Sequence, residues 1–176
     1  MVFNLIGPPA VGKSTTAIRL AHQLQNLTYL TIDEFRETTS SEEEAWSALL
    51  ENSIKKTKSH LLLESSGASG ELSKIVLPAL SQHNKILSIN FTACLDDIYH
   101  RLVTRHKIVT PDHIKAWNEL MFAEYCLPFL ANITTDLIIN TSQLSQEESY
   151  QAALDFLLRH CWMTGRITGE LLRAPK

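Results

Sequence analysis

The chain has 176 residues, of which 44% are hydrophobic and 20% are charged, with six glycines and six prolines. This length fits one domain over residues 1–176, with residues 163–176 as a C-terminal tail, and the composition excludes collagen, low-complexity disorder and coiled coil. The formal net charge of −3 excludes a global positive field that would collect nucleic acid or anionic membrane.

Targeting and redox signals point to the cytoplasm. No apolar run approaches the roughly 18–20 residues that a membrane-spanning helix needs. The start, Met-Val-Phe-Asn-Leu-Ile-Gly, lacks the basic region and the long apolar region of a signal peptide. Cys94, Cys126 and Cys161 lie far apart and match no disulfide framework and no zinc spacing. We therefore expect a cytoplasmic protein with reduced, mostly buried thiols and no membrane partner.

Five short runs are predicted to be β-strands, because they are almost continuously apolar, as strands buried on both faces are. They are residues 2–6, 28–32, 60–63, 86–91 and 137–139. Helical patterns lie between them. This alternation predicts an α/β fold in which helices cover both faces of a parallel sheet.

The predicted helices are marked by apolar residues at helical spacing and by signals at their starts. They span residues 13–25, 41 to about 58, 71–81, 95–105, 110 to about 128, and 145 to about 161. Ser41 with Glu44, and Ser145 with Glu148, form capping-box pairs at two of the starts. Pro78 is expected to shorten or kink the third helix.

The first strand leads into Gly7-Pro8-Pro9-Ala10-Val11-Gly12-Lys13-Ser14, which fits the phosphate-binding pattern Gly-x-x-x-x-Gly-Lys-Ser. Its glycines allow a tight loop whose backbone N–H groups face a polyphosphate, and the helix that follows adds the positive end of its dipole. Lys13 is expected to reach the β- and γ-phosphates, and Ser14 to ligate Mg²⁺. The predicted nucleotide-binding residues of the loop are Gly7, Pro8, Ala10, Val11, Gly12, Lys13, Ser14 and Thr15.

Asp33 directly follows the second predicted strand, at the edge where open α/β sheets bind ligands. A carboxylate there can accept a hydrogen bond from an acceptor hydroxyl and orient its attack on the γ-phosphorus. Arg36 would lie on the same side if a helical turn begins at Asp33, and could then hold the acceptor or neutralise the transferring charge. The alternative is an ordinary surface ion pair at the end of a strand.

The phosphate loop together with Asp33-Glu34-Phe35-Arg36 resembles the small P-loop kinases, and most closely the 5′-hydroxyl polynucleotide kinase domain, with adenylylsulfate kinases nearby. The resemblance runs roughly over residues 2–156 and implies a three-layer fold with a five-stranded parallel sheet and a short lid at about residues 101–115. In that group an Asp-x-x-Arg follows the second strand. Its Asp is the general base toward the acceptor hydroxyl and its Arg contacts the acceptor or phosphate, so these roles carry over to Asp33 and Arg36.

The third strand ends in Glu64, the place where P-loop proteins carry an acid that serves Mg²⁺ directly or through water. Many relatives have Asp here. Glu64 is therefore expected to serve either the metal or the acceptor. The alternative is a strand-end residue that caps a turn.

Arg101 and Arg105 lie in the predicted helix that follows the fourth strand. They are four residues apart, so they share one face of that helix. In the resembling kinases this segment is the lid, and its arginines clamp the ATP phosphates during transfer. Arg105 is the predicted catalytic arginine because it lies nearer the loop. Asn140 follows the fifth strand, where such folds hold the base of the nucleotide. The alternatives are a solvated basic helix end for the arginines and a structural cap for Asn140.

The stretch after Asp33 has an acidic flank, which we define as the five glutamates between Arg36 and Lys55, where no Lys or Arg occurs. They are Glu37, Glu42, Glu43, Glu44 and Glu51. A polynucleotide would need several phosphates neutralised, so this flank favours a small hydroxyl-bearing acceptor such as a nucleoside, a sugar, an amino alcohol or an antibiotic-like compound. The acidic flank also suits the solvated start of a helix.

Four aromatic residues could line the acceptor pocket or belong to the core: Trp46, Trp117, Phe122 and Tyr125.

The sequence thus predicts an ATP- and Mg²⁺-dependent kinase that acts on a hydroxyl. Asp33 would activate the acceptor, Lys13 and Arg105 would neutralise the γ-phosphoryl group, and Ser14 with Glu64 would serve Mg²⁺. Two alternatives stay open. One is a polynucleotide 5′-hydroxyl kinase. The other is a nucleotide-dependent switch or regulatory NTPase, although the guanine motif Asn-Lys-x-Asp of common GTPases is absent from the sequence.

Overall fold

A computed structural model of the chain describes residues 1–56, 60–67, 70–105 and 134–162. The predicted helix from residue 110, the end of the predicted lid (residues 106–115) and residues 163–176 lie outside the described residues. So do four residues to which the sequence drew attention, namely Trp117, Phe122, Tyr125 and Cys126.

Five parallel strands form one sheet in the order β2-β3-β1-β4-β5. They are β1 (Val2–Ile6), β2 (Leu27–Thr31), β3 (His60–Glu64), β4 (Ile86–Thr92) and β5 (Leu137–Asn140). The predicted α/β class and the parallel sheet are confirmed. The prediction was wrong at Ile32, which begins a helix instead of ending a strand. Thr31 causes this change, because its Oγ1 accepts a hydrogen bond from the Asp33 backbone N–H and caps the new helix.

The helices lie between the strands. They are α1 (Lys13–Gln23), α2 (Ile32–Arg36), α3 (Glu42–Lys55), α4 (Leu77–Ser81), α5 (Leu95–Arg105) and α6 (Gln146–Trp162). The predicted helix over residues 71–81 is instead a π-helical turn, Leu72–Val76, followed by α4. Pro78 lies in the first turn of α4 and has no N–H to continue a regular hydrogen-bond series, which explains the break. The short α2 has no counterpart in the prediction beyond the turn proposed at Asp33.

Both predicted capping pairs hold helix starts. At α6 the pair is reciprocal: the Glu148 N–H donates to Ser145 Oγ at 3.2 Å, and the Ser145 N–H donates to Glu148 Oε2 at 2.8 Å. Hydrogen bonds from Ser145 lower the pKa of the Glu148 carboxyl. At α3, Ser41 Oγ accepts from the Glu44 N–H, but the Glu44 carboxylate reaches back to Ser40.

Replacing Ser145 with alanine is expected to lower the free energy of unfolding by about 1 kcal/mol, because the Glu148 N–H then loses Ser145 Oγ as its acceptor and Glu148 Oε2 loses the Ser145 hydroxyl as a donor. Urea unfolding followed by circular dichroism measures the change. Ser47→Ala is the matched control, since Ser47 is exposed in the middle of α3. Equal destabilisation by the two substitutions would contradict a capping role for Ser145.

The central strands β1, β3 and β4 are buried on both faces, as their continuous apolar runs predicted, whereas the edge strands β2 and β5 are only partly buried. One hydrophobic cluster packs Phe3, Leu5 and Phe91 of the sheet against α1, α5 and α6. The other packs the opposite face against α2, α3 and α4 and includes Trp46, which is only 3% exposed. Trp46 is therefore a core residue and does not line an acceptor pocket among the described residues. The packing brings the carboxyl ends of the strands to one edge of the sheet.

Two smaller observations complete the fold. Among the described residues, no helix combines the length and the apolar character that crossing a bilayer requires. Of the two described cysteines, Cys161 is buried and Cys94 is exposed. Burial raises the pKa of the Cys161 thiol to about 11.

Candidate functional site

The phosphate loop between β1 and α1 has a backbone that only particular residues tolerate. Gly7 has φ +142°, and a Cβ at this residue would lie 2.2 Å from the Phe91 carbonyl oxygen, so a side chain is excluded. Gly12 has φ +89°, in the left-handed region, and is the N-cap of α1. No side chain caps α1 there, so the positive end of its dipole faces the inside of the loop.

Lys13 folds back over this loop. Its Nζ donates hydrogen bonds to the Gly7 carbonyl at 2.9 Å and to the Pro8 carbonyl at 2.8 Å. The residue is only 8% exposed, so the ammonium group is held inside the loop. This places a cation beside the backbone amides that the sequence predicted to face phosphates.

Ser14 and Glu64 meet across the gap between α1 and β3. Ser14 Oγ donates to Glu64 Oε1 at 2.6 Å, and the Tyr29 hydroxyl donates to Glu64 Oε2. Glu64 is 7% exposed, so its charge is almost fully enclosed by these partners and their neighbours. Burial and the Glu64 carboxylate raise the pKa of the Tyr29 hydroxyl, which therefore stays protonated as a donor at neutral pH.

Asp33 and Arg36 form an ion pair, as the turn at Asp33 allowed. Arg36 Nη1 lies 2.7 Å from Asp33 Oδ1. The rest of the guanidinium makes a two-pronged contact with Glu42, at 2.6 Å from Oε1 and 2.9 Å from Oε2. The Glu42 carboxylate raises the pKa of Arg36, and Arg36 lowers the pKa of Glu42. Glu42 is itself held by the Trp46 indole N–H at 2.8 Å.

Arg101 joins the phosphate loop to the turn after β5. Its Nη1 donates to Thr141 Oγ1 at 2.8 Å and to the Ala10 carbonyl at 3.4 Å, and its Nη2 donates to the Thr141 carbonyl at 2.7 Å. Asn140 stays within its own turn, where its Oδ1 accepts from the Ser142 N–H at 3.0 Å. The Asn140 side chain thus acts as the structural cap that the sequence offered as an alternative.

These groups surround a cleft of about 870 Å³ at the carboxyl edge of the sheet. The predicted site residues on its wall are Ala10, Val11, Gly12, Lys13, Ser14, Thr15, Asp33, Glu64, Arg101 and Arg105. Four other predicted residues do not line it, namely Gly7, Pro8, Arg36 and Asn140. This volume is in the range of small-molecule sites, which hold roughly 300–1,000 Å³.

Comparison with known proteins bears on the fold. No model of a protein family and no curated protein matches the sequence. Solved structures do match. A proposed kinase from Chloroflexus aurantiacus has a TM-score of 0.69 and 20% identity, covering 92% of this chain and 96% of its own. The YorR protein of Bacillus subtilis, in complex with phosphorylated GDP, has a TM-score of 0.64 and 16% identity, covering 92% and 98%.

Shikimate kinase from Bacteroides thetaiotaomicron has a TM-score of 0.60 and 14% identity, covering 90% of this chain and 98% of its own. The chain has the fold of the P-loop kinases. At these identities the likeness concerns the fold alone, so the particular group of small kinases that the sequence resembles remains a prediction.

Within this P-loop kinase fold, three residues of the cleft region stand out among those that sequence reasoning did not assign to the site. Thr141 follows Asn140 and takes the place on the wall that Asn140 was expected to fill. Ser149 of α6 lines the cleft, is 3% exposed, and its Oγ has no hydrogen-bond partner among the described residues. Tyr29 holds Glu64 from the neighbouring strand. None of the three stands in a motif, so only the fold could reveal them.

The side chains present suit Mg²⁺ bound together with a nucleotide. In the described part of the chain, no group of three or more His, Cys, Asp or Glu residues could hold a metal ion by itself. Mg²⁺ in P-loop proteins needs no such group, because substrate phosphates and water supply most of its ligands. Ser14 Oγ and the Glu64 carboxylate provide hard oxygen donors on the cleft wall beside the phosphate loop. Their contact at 2.6 Å favours a role in which Glu64 acts on the metal through Ser14 or water.

Proposed function

We propose that the protein is an ATP- and Mg²⁺-dependent phosphotransferase that moves the γ-phosphoryl group of ATP to a hydroxyl of a small molecule. One observation carries the proposal: the phosphate loop with Lys13 and a carboxylate at the end of β2, Asp33, line the same cleft. A phosphate donor and a hydroxyl acceptor could therefore meet within one cleft.

On the donor side, the loop amides and Lys13 would bind the β- and γ-phosphates. Arg105 would neutralise charge that spreads over the transferring group, since planar guanidinium suits that geometry. Arg101 would border the nucleoside through its position between Ala10 and Thr141. Mg²⁺, held by Ser14 and served by Glu64, would supply charge neutralisation at the phosphate oxygens.

On the acceptor side, Asp33 would take the proton of the attacking hydroxyl. The acceptor oxygen forms a bond to the γ-phosphorus while the bond from that phosphorus to the β–γ bridging oxygen breaks. The products are a phosphate ester and ADP, and the proton resides first on Asp33 and then in solvent. The Asp33 side chain is 76% exposed, so a hydroxyl can approach it from the cleft.

The charges around Asp33 support a small acceptor. Arg36 is already paired with both Asp33 and Glu42, so it offers no spare positive charge to a phosphate chain. The acidic flank adds further negative charge beside it. A polynucleotide would need several of its phosphates neutralised by Lys or Arg, and without those cations its affinity would be low. Arg36 could bind an acidic acceptor only if its hydrogen bonds to the Glu42 carboxylate broke first.

Incubation with labelled ATP and Mg²⁺ tests the proposal against a panel of hydroxyl compounds that includes sugars, nucleosides, amino alcohols and a 5′-hydroxyl oligonucleotide. The expected result is a labelled small product. Transfer to the oligonucleotide alone would identify a polynucleotide kinase and contradict the charge argument. Slow hydrolysis that no compound stimulates would instead favour a nucleotide-dependent switch.

A further inference from the structure

Tyr29 and Glu64 belong to neighbouring strands, and their contact follows from strand geometry. In the register of β2 and β3, Thr31 is paired with Glu64, and Tyr29 precedes Thr31 by two residues. Tyr29 therefore points to the same face of the sheet as Thr31, about 7 Å farther from the carboxyl edge. A tyrosine side chain is long enough to cover that distance, and its hydroxyl donates to Glu64 Oε2.

The two oxygens of Glu64 thus have different partners. Oε1 accepts the Ser14 hydroxyl at 2.6 Å, and Oε2 accepts the Tyr29 hydroxyl. Because the Ser14 hydroxyl donates its hydrogen bond to Glu64, the lone pairs of Ser14 Oγ are left to face the cleft. The direction of those lone pairs depends on where the carboxylate of Glu64 is held.

We propose that Tyr29 is a positioning residue for Mg²⁺, which acts by fixing the Glu64 carboxylate against Ser14. Glutamate has one more rotatable bond than the aspartate that many related kinases carry at this place. Fixing its carboxylate in one orientation therefore costs more conformational entropy. A donor on the second oxygen removes that freedom before the metal arrives. The inference rests on the proposed function, because it assumes that Mg²⁺ is bound with ATP at Ser14.

Replacing Tyr29 with phenylalanine keeps the ring and removes only the hydroxyl. We expect the affinity of the ATP-bound protein for Mg²⁺ to fall about 10- to 100-fold, as is usual when a partner of a metal-binding side chain is lost. The affinity for ATP without Mg²⁺ should change less than about twofold, because Tyr29 does not line the cleft. A purely structural role would instead lower both affinities together.

Isothermal titration calorimetry of ATP at several Mg²⁺ concentrations gives both affinities without any acceptor, and Mn²⁺ binding followed by electron paramagnetic resonance gives the metal affinity directly. Tyr150→Phe is the matched control. It removes a tyrosine hydroxyl that contacts Gln23 and keeps the ring under Arg19. Arg19 lines the cleft, but Tyr150 does not. This control should leave the Mg²⁺ dependence unchanged.

Testing Tyr29→Phe in a Glu64→Asp variant separates a positioning role from a general loss of structure. Glu64→Asp shortens the side chain by one carbon, so its carboxylate cannot meet Ser14 and Tyr29 at once. Adding Tyr29→Phe to Glu64→Asp should therefore cause no further loss of Mg²⁺ affinity. An equal loss from Tyr29→Phe in both backgrounds would overturn the inference.

The remaining outcomes distinguish this inference from the proposed function. If the wild-type protein binds ATP with Mg²⁺ and Tyr29→Phe shows the same Mg²⁺ dependence, the inference alone is overturned. If the wild-type protein shows no Mg²⁺-dependent ATP binding, the proposed function is overturned and the role of Tyr29 falls with it.

Discussion

Replacing Lys13 with methionine is expected to weaken the binding of Mg·ATP by about 100-fold and to abolish measurable phosphoryl transfer. Methionine matches the length of the aliphatic part of lysine and removes the ammonium group that lies inside the phosphate loop. A hydrogen bond to a charged group contributes about 1.5–3 kcal/mol, so the loss of one such bond to phosphate accounts for a change of this size. Calorimetric titration with Mg·ATP measures the first effect, and a labelled-ATP assay measures the second.

The control for this substitution is Lys55→Met, at the end of α3. Lys55 is 71% exposed and pairs with Glu51 in a surface ion pair of 3.5 Å. That substitution should leave ATP affinity within about twofold of wild type, because exposed pairs contribute little. Wild-type ATP affinity in folded Lys13→Met protein would show that the loop is not the phosphate site.

Asp33→Asn is expected to slow phosphoryl transfer by about 10²- to 10⁴-fold while leaving the affinity for Mg·ATP nearly unchanged. Asparagine has the same size as aspartate and can still accept the Arg36 hydrogen bond, but it cannot take a proton from the acceptor. Single-turnover transfer to an identified acceptor measures the rate, and calorimetry measures ATP affinity. The two readouts separate loss of chemistry from loss of donor binding.

Glu34→Gln provides a matched control for Asp33→Asn, since Glu34 is the next residue of α2 and is also exposed but does not line the cleft. Its transfer rate should match wild type. If Asp33→Asn transferred phosphate at the wild-type rate, another group would have to be the base. If Asp33→Asn mainly weakened ATP binding, Asp33 would belong to the donor site.

The sequence predicted the parts of the fold that are specified locally. The apolar runs located all five strands, and for the central strands β1, β3 and β4 the reason is that a strand buried on both faces must be almost continuously apolar. The loop from Gly7 to Ser14 was recognisable because its backbone shape requires glycine at fixed positions. The reciprocal pair at Ser145 and Glu148 was also visible, because the partners are three residues apart.

Contacts between distant residues were not predictable in this way. Tyr29 reaches Glu64 only because β2 and β3 pair in one particular register. Arg36 was expected to be available to an acceptor, yet Glu42 holds it once α3 packs beside α2. At Ile32, the strand propensity of an isoleucine was overridden by the cap that Thr31 forms. Such outcomes depend on which elements the fold brings together, and no sequence spacing encodes them.

Arg101 has a consequence for what can enter the cleft. Its guanidinium makes three hydrogen bonds that reach from Ala10 on one wall to Thr141 on the other. A single side chain thus links these two segments across the cleft. A ligand whose binding required Ala10 and Thr141 to move apart would therefore have to break the hydrogen bonds of Arg101 first.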